Sequence, residues 1–151
     1  VARSPRRPTP RECSIARALD VVGDKWSLLV VRELTYGVHR FDGIASRTGA
    51  SRDVLTDRLR RLESAGIIER RRYSEHPPRD EYHLTEAGGD LREVLLTLLH
   101  WGDRHRSPTP PVVWRHDCGA VLTPVVACAH CGRPAAAEQG SLTLEPEPAR
   151  V

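Results

Sequence analysis

Between Arg40 and Ala65 the chain carries two helical hydrophobic patterns separated by a corner of only a few residues. Phe41, Ile44 and Ala45 recur at helical spacing, Thr48-Gly49 interrupts them, and Leu55, Leu59 and Leu62 start a second run. Two helices this close need a backbone that stops one and restarts the other at a steep angle. Gly49 can take the left-handed conformation that does so, and Ser51 can cap the second helix. The spacing predicts a helix-turn-helix, with the rest of the chain read as support for its second helix.

The flanks fit that reading. Upstream, Ile15, Ala16, Leu19 and Val22 can share one helical face before Gly23 ends the turn. Trp26, Leu28, Leu29, Val30, Val31 and Leu34 then make a helix too apolar all round for a surface element, so it belongs at the centre of the core. Downstream, Gly66 to Tyr73 and Arg79 to Leu84 are strand-like runs on either side of a Pro-containing turn, which predicts a β-hairpin attached directly after the second helix. Thr85 can cap a further helix, with Glu86 near its positive end. In that helix Leu91, Val94, Leu95, Leu98, Leu99 and Trp101 give an apolar surface wider than one core-facing stripe needs. A second copy of the chain is the economical partner, because a symmetric homodimer sets two recognition helices on successive turns of DNA. Packing wholly within one chain is the alternative. The expected fold class is mainly α with a small β-wing: a winged helix-turn-helix with dimerisation helices, plus a small C-terminal zinc-ribbon-like segment.

At 100° per residue, Leu55, Leu59 and Leu62 point inward, while Asp53, Thr56, Asp57, Arg60 and Arg61 lie opposite, with Arg52 at the edge. A helix in the major groove of double-stranded DNA reads bases with its first turns, which singles out Arg52, Asp53, Thr56 and Asp57, with Ser51 a further DNA-binding candidate at the helix start. Arg60 and Arg61 suit phosphates, and Arg70, Arg72 and Arg79 on the wing can reach phosphates beside the adjacent minor groove. A formal net charge of +3 permits nucleic-acid binding, and Lys25 is the only lysine, so arginine carries nearly all the positive charge. A solvated amphipathic helix followed by a solvated hairpin is the plainer reading of the same residues.

Several of these stretches together resemble the HxlR family of bacterial winged-helix transcription regulators: Cys13 to Leu34, Arg40 to Ile44, Ser51 to Ile68 and Pro77 to Gly88. The resemblance runs from Cys13 to about His105. It implies a cytoplasmic, dimeric DNA-binding regulator in which N-terminal and C-terminal helices of both subunits form the interface. It also suggests a small-molecule or electrophile effector, or release by thiol oxidation. Asp53 departs from the basic or proline residue often found there: its carboxylate can accept from a cytosine amino group but repels phosphate.

With 151 residues the chain has room for one ordinary domain and an appendage. No stretch approaches the roughly 18 to 20 apolar residues of a membrane span, and the first ten residues lack the apolar core of a signal peptide, so no membrane partner and a cytoplasmic location are expected. The expected organisation is a flexible basic arm over 1–12, the winged-helix domain over 13–106, a Pro-rich linker over 107–113, a zinc-ribbon-like segment over 114–134 and a disordered tail over 135–151.

Four cysteines without a secretory signal argue against a disulfide scaffold. Cys13 begins a helix, where the dipole and nearby Arg11 and Arg17 favour thiolate while Glu12 opposes it. It is a candidate redox sensor, with a quiet apolar thiol as the alternative. Cys128 and Cys131, followed by Gly132, have the spacing of a zinc knuckle, and His116 with Cys118 can complete a Cys3His site for a structural Zn2+. His130 is another possible fourth ligand, and three reduced thiols the plain alternative. Val121, Leu122, Val125 and Val126 read as a small hairpin between the ligand pairs, in a segment too small to fold on hydrophobic burial alone.

The expected function is a sequence-specific DNA-binding regulator, a repressor by preference, acting as a homodimer on an inverted-repeat operator. A protein-interaction module using the winged helix and ribbon as docking surfaces is the alternative. No nucleophile, base and orienting group can be assembled from the sequence and no phosphate-binding Gly loop occurs, so an enzyme is not expected.

Overall fold

The computed structural model of the protein describes residues 13–135. The expected arm over 1–12, and all of the expected tail except Ala135, lie outside these residues. The elements are α1 (Ser14–Val22), α2 (Lys25–Thr35), α3 (Phe41–Thr48), α4 (Arg52–Ser64), β1 (Ile68–Glu75), β2 (Pro78–Leu84) and α5 (Glu86–His105). They divide into two units, one ending at Leu95 and the other beginning at Leu96, so the division falls inside α5.

In the first unit α2 occupies the centre, as its all-round apolar sequence requires. Its N-terminus is closed by Asp24, whose side chain accepts from the backbone N–H groups of Trp26 and Ser27 at 2.9 and 3.0 Å. Val30, Val31 and Leu34 are buried, together with Ile44 of α3, Leu55, Leu59 and Leu62 of α4, and Ile68 of β1. Glu33 is also buried and is neutralised by Arg32, whose Nη2 lies 2.6 Å from its Oε1. The face expected on α1 forms but is turned away from this core: Val22 alone is buried there, while Ile15 and Leu19 are 70% and 57% exposed.

The corner between α3 and α4 is built as expected. Gly49 has φ +73°, a left-handed conformation costly for residues with a Cβ, and its N–H donates to Ala45 O at 2.9 Å. Ser51 caps α4 by accepting from Val54 N–H at 3.4 Å.

The wing reaches further toward its tip than the two strand-like runs suggested, with β1 beginning and ending two residues later and β2 beginning one residue earlier. β1 and β2 pair antiparallel from Ile68↔Leu84 out to Glu75↔Pro78, with a register shift between Arg72 and Ser74, so only His76 and Pro77 remain for the turn. Its base is tied to the loop before α3 by Tyr82 N–H donating to His39 O at 2.9 Å and by an isolated bridge between Arg40 and Glu81. Thr85 caps α5 through Gly88 N–H at 3.2 Å, and its own hydroxyl donates to Gly66 O at 2.6 Å. Gly88 is buried against the Ile67 carbonyl, where a Cβ would fall inside van der Waals contact.

In the second unit, residues 114–135 form two tight turns, each closed by an isolated bridge: Arg115↔Val121 and Ala127↔Pro134. The expected hairpin of Val121, Leu122, Val125 and Val126 does not form. Leu122 N–H donates back to Trp114 O at 2.8 Å, and Ala135 N–H donates back to Val126 O at 2.8 Å, so each apolar pair bonds to its own flank. The reason is where the chain reverses: Gly119 and Gly132 have φ of +87° and +69° and place a corner beside each Cys-Gly. Val121, Val125 and Val126 are left exposed, so burial supplies little to hold this segment.

Candidate nucleic-acid interface

The buried leucine stripe of α4 decides which residues face outward. With Leu55, Leu59 and Leu62 sealed against the core, Ser51, Arg52, Asp53, Asp57, Arg60 and Arg61 are exposed, while Thr56 is half-buried. Three of the charged side chains of this face, Arg52, Asp57 and Arg61, have ion-pair partners. Arg52 Nη1 lies 2.8 Å from Asp42 Oδ1 on α3, and its Cζ sits 4.8 Å from the Phe41 ring centroid. Asp57 Oδ2 lies 3.3 Å from Arg61 Nε, an i,i+4 ion pair. Thr56 donates its hydroxyl proton to Arg52 O at 2.8 Å, leaving only its oxygen as an acceptor for a further partner. Arg60 has no ion pair among the described residues.

On the wing the three expected phosphate contacts are all exposed but differ in their surroundings. Arg72 Nε lies 3.2 Å from Asp80 Oδ1, and Arg70 is 3.8 Å from Asp80 and 3.6 Å from Glu63. Arg79 has no ion pair among the described residues. From Ile68 to Leu84 four arginines, Arg70, Arg71, Arg72 and Arg79, are matched by four acids, Glu69, Glu75, Asp80 and Glu81, so the hairpin is formally neutral. At its base Arg40 Nε donates to Glu81 Oε1 at 3.0 Å, and its guanidinium packs 4.6 Å from the Tyr73 ring. That hydrogen bond from Arg40 holds the Glu81 carboxyl below the ordinary carboxylate range, against some desolvation.

Four residues that shape this surface were not singled out in the sequence: Asp42, Arg58, Asp80 and Glu81. Arg58 had a legible signal. On the helical wheel it flanks the inward leucine stripe, and its side chain is only 22% exposed, with Nη1 3.3 Å from Asp24 Oδ2. The other three lack one, because charge pairing across elements has no short-range spacing.

The remaining candidates lie elsewhere. Cys13 is the N-cap of α1, half-buried, with Arg17 N–H donating to its carbonyl at 3.1 Å. His116 and Cys118 share the first turn of the C-terminal segment, where Cys118 N–H donates to His116 Nδ1 at 3.3 Å. Cys128 and Cys131 share the second, where hydrogen bonds from Arg133, backbone and then side chain, and from Cys128 hold the Cys131 thiol below its ordinary range. The donors are therefore presented as two pairs, chemically suited to zinc. Among the described residues, no group of three or more His, Cys, Asp or Glu is close enough together to hold a metal ion.

Two helices meeting at a glycine corner, with an antiparallel hairpin following the second, define a winged helix-turn-helix protein. Residues 21–110 match the HxlR-like helix-turn-helix family, and the chain belongs to it. A relative, the uncharacterised HTH-type transcriptional regulator Rv3095 of Mycobacterium tuberculosis, is 43% identical over 138 residues, covering 89% of this chain and 86% of that protein. A match of that share runs past residue 110 into the cysteine-bearing segment. The crystal structure of PA1607, provisionally named a transcription factor, aligns with a TM-score of 0.76 at 31% identity over 88% of this chain and 95% of that one. The redox regulator HypR in its oxidised form aligns with a TM-score of 0.55 at 34% identity over 62% of this chain and 98% of that one. The family and these relatives are transcriptional regulators, not enzymes. No helix among the described residues is long and apolar enough to cross a membrane.

Proposed function

We propose that the protein is a cytoplasmic transcriptional repressor that binds an inverted-repeat operator as a homodimer, with α4 in the major groove and the wing against flanking phosphates. The observation that carries this reading is the division of α4: a fully buried leucine stripe on one side and a polar face of six exposed residues, Ser51, Arg52, Asp53, Asp57, Arg60 and Arg61, on the other. The homodimer is supported by apolar side chains left in water on two helices, Ile15 and Leu19 on α1 and Val94, Leu98 and Trp101 on α5. An effector or thiol oxidation acting at that interface would alter the separation of the two reading heads and release the DNA. Cys13 is the proposed sensing thiol, supported by its place at the start of α1 beside Ile15 and by the likeness to HypR, a redox regulator.

Structural zinc belongs to the same proposal, with His116, Cys118, Cys128 and Cys131 as donors. Its support is the chemistry of the two donor pairs, each on a glycine-cornered turn, in a segment that buries little apolar surface. Metal analysis should find one zinc per chain, reduced in Cys128→Ser; purified protein without zinc under reducing conditions would refute it.

The regulatory reading is tested by a salt-titrated gel shift on the DNA flanking the protein's own gene, with native, thiol-oxidised and Cys13→Ser samples. Specific binding that oxidation abolishes in the native protein and spares in Cys13→Ser is the expected result. Binding with equal affinity to scrambled duplex would refute sequence-specific regulation.

A further inference from the structure

We propose that Arg52 reads a guanine, buttressed from α3 by Asp42 and Phe41, and that each half-site of the operator therefore presents a guanine opposite the start of α4. The inference rests on the DNA-binding reading above and adds to it the identity of one base and of the residues that select it.

Arg52 is the first residue of α4, the end of a recognition helix that approaches base edges most closely. A long arginine in water samples many rotamers, and fixing it on binding costs entropy. Here two groups restrain it beforehand: the Asp42 carboxylate takes Nη1 at 2.8 Å, and the Phe41 ring lies 4.8 Å from Cζ. The restraint leaves the tip accessible, since the Arg52 and Asp42 side chains are 74% and 82% exposed. A guanidinium carries five N–H donors, and beyond Nη1 the Arg52 side chain has no other hydrogen bond or ion pair among the described residues.

The carboxylate also decides between phosphate and base. A phosphate oxygen approaching Arg52 would meet Asp42 across the same guanidinium, and two anions on one fork repel. A base edge is neutral and escapes that penalty. In the major groove guanine alone offers two acceptors, O6 and N7, matched to the arginine fork. An exposed ion pair contributes little in water, but DNA closing over it removes screening and strengthens its hold on the fork's orientation. The pair is therefore arranged for selectivity and not for non-specific affinity.

The test is selection from a randomised double-stranded DNA library with the full chain, as wild type, Arg52→Ala, Arg52→Lys and Asp42→Asn. Thermal melting of each checks that these exposed substitutions leave the fold intact. The wild type should enrich sites with a guanine in both half-sites, and replacing that guanine with 7-deazaguanine, which lacks N7, should weaken binding roughly tenfold or more. Arg52→Ala should lose the preference at that position alone and become indifferent to 7-deazaguanine, and Arg52→Lys should weaken it, because an ammonium lacks the planar fork that Asp42 and Phe41 orient. Asp42→Asn should bind random duplex more tightly while discriminating less well at the same guanine. Base preferences unchanged in Arg52→Ala, or full guanine selectivity kept by Asp42→Asn, would overturn the assignment while leaving the regulator reading intact. Failure of the wild type to enrich any sequence would overturn sequence-specific DNA reading itself.

Discussion

Arg58 belongs to the recognition helix but is bound to the start of α2, its Nη1 3.3 Å from Asp24 Oδ2. Asp24 thus joins two tasks: it caps α2 through Trp26 and Ser27, and it fixes the middle of α4 relative to that helix. Burial pushes its carboxyl up, but hydrogen bonds from Ser27 and Trp26 and the charge of Arg58 outweigh this and hold it below the usual range.

Asp24→Ala should therefore cost about 1–3 kcal/mol in denaturant unfolding, through the lost cap and an Arg58 left with only the more distant Asp57. A carboxyl depressed in the fold stabilises it above the unfolded pKa, and that stabilisation is lost as pH falls through the folded one. The stability difference between wild type and Asp24→Asn should be full at neutral pH and close in acid, below about pH 4. A difference that persists unchanged at lower pH would exclude the ionised carboxylate as its source.

Gly88→Ala should destabilise the fold by about 1–3 kcal/mol, because a Cβ there meets the Ile67 carbonyl and α5 must shift to accept it. Gly89 provides the control, since nothing lies within 4 Å of its Cβ position. Gly89→Ala should be neutral or stabilising by up to about 1 kcal/mol, as alanine favours a helix interior. Equal melting temperatures for the two variants would contradict the packing of α5 against the wing base.

The helix-turn-helix was legible because its information is local. Leu55, Leu59 and Leu62 mark a period that burial follows closely, and Gly49 and Ser51 announce a corner through conformations they favour. The wing was visible from its strand-like runs and Pro77-Pro78, though not its full length. Less could be read where function depends on partners distant in sequence. Arg70 and Arg72 were legible on the wing as phosphate contacts, but Asp80 lies opposite them across the hairpin. Arg52 was legible as a base-reading candidate, but its partner Asp42 on the preceding helix was not. In the cysteine segment Leu122 and Val126 bond to their own flanks and not to each other's run, an outcome that alternation of residue types does not reveal.

Charge matching divides the arginines into two groups with different salt behaviour. Arg60→Ala and Arg79→Ala should each lower the slope of log affinity against log salt by about 1, the value for loss of one phosphate contact. Arg70→Ala and Arg72→Ala should lower it less, because Asp80 already offsets their charge. Asp80→Asn should steepen the slope and tighten binding to random duplex. Fluorescence anisotropy across a salt series measures all five variants, and equal slopes for the four arginine variants would contradict the division.

The exposed apolar face of α5 gives a test of the proposed homodimer. Leu98→Glu and Trp101→Glu should each shift the protein to monomer in sedimentation equilibrium while its helical circular dichroism is preserved, since both side chains are in water within one chain. A dimer indifferent to both substitutions would place the interface elsewhere.

Hydroxyl-radical footprinting on the duplex selected by the wild-type protein, with the stoichiometry of the complex measured alongside, shows whether two α4 helices engage one operator. Two chains per duplex and two symmetric protected blocks, with centres one helical turn of about 10–10.5 base pairs or a multiple apart, are the expected result for paired recognition helices. One chain per duplex with a single protected block, or uniform protection without register, would contradict it.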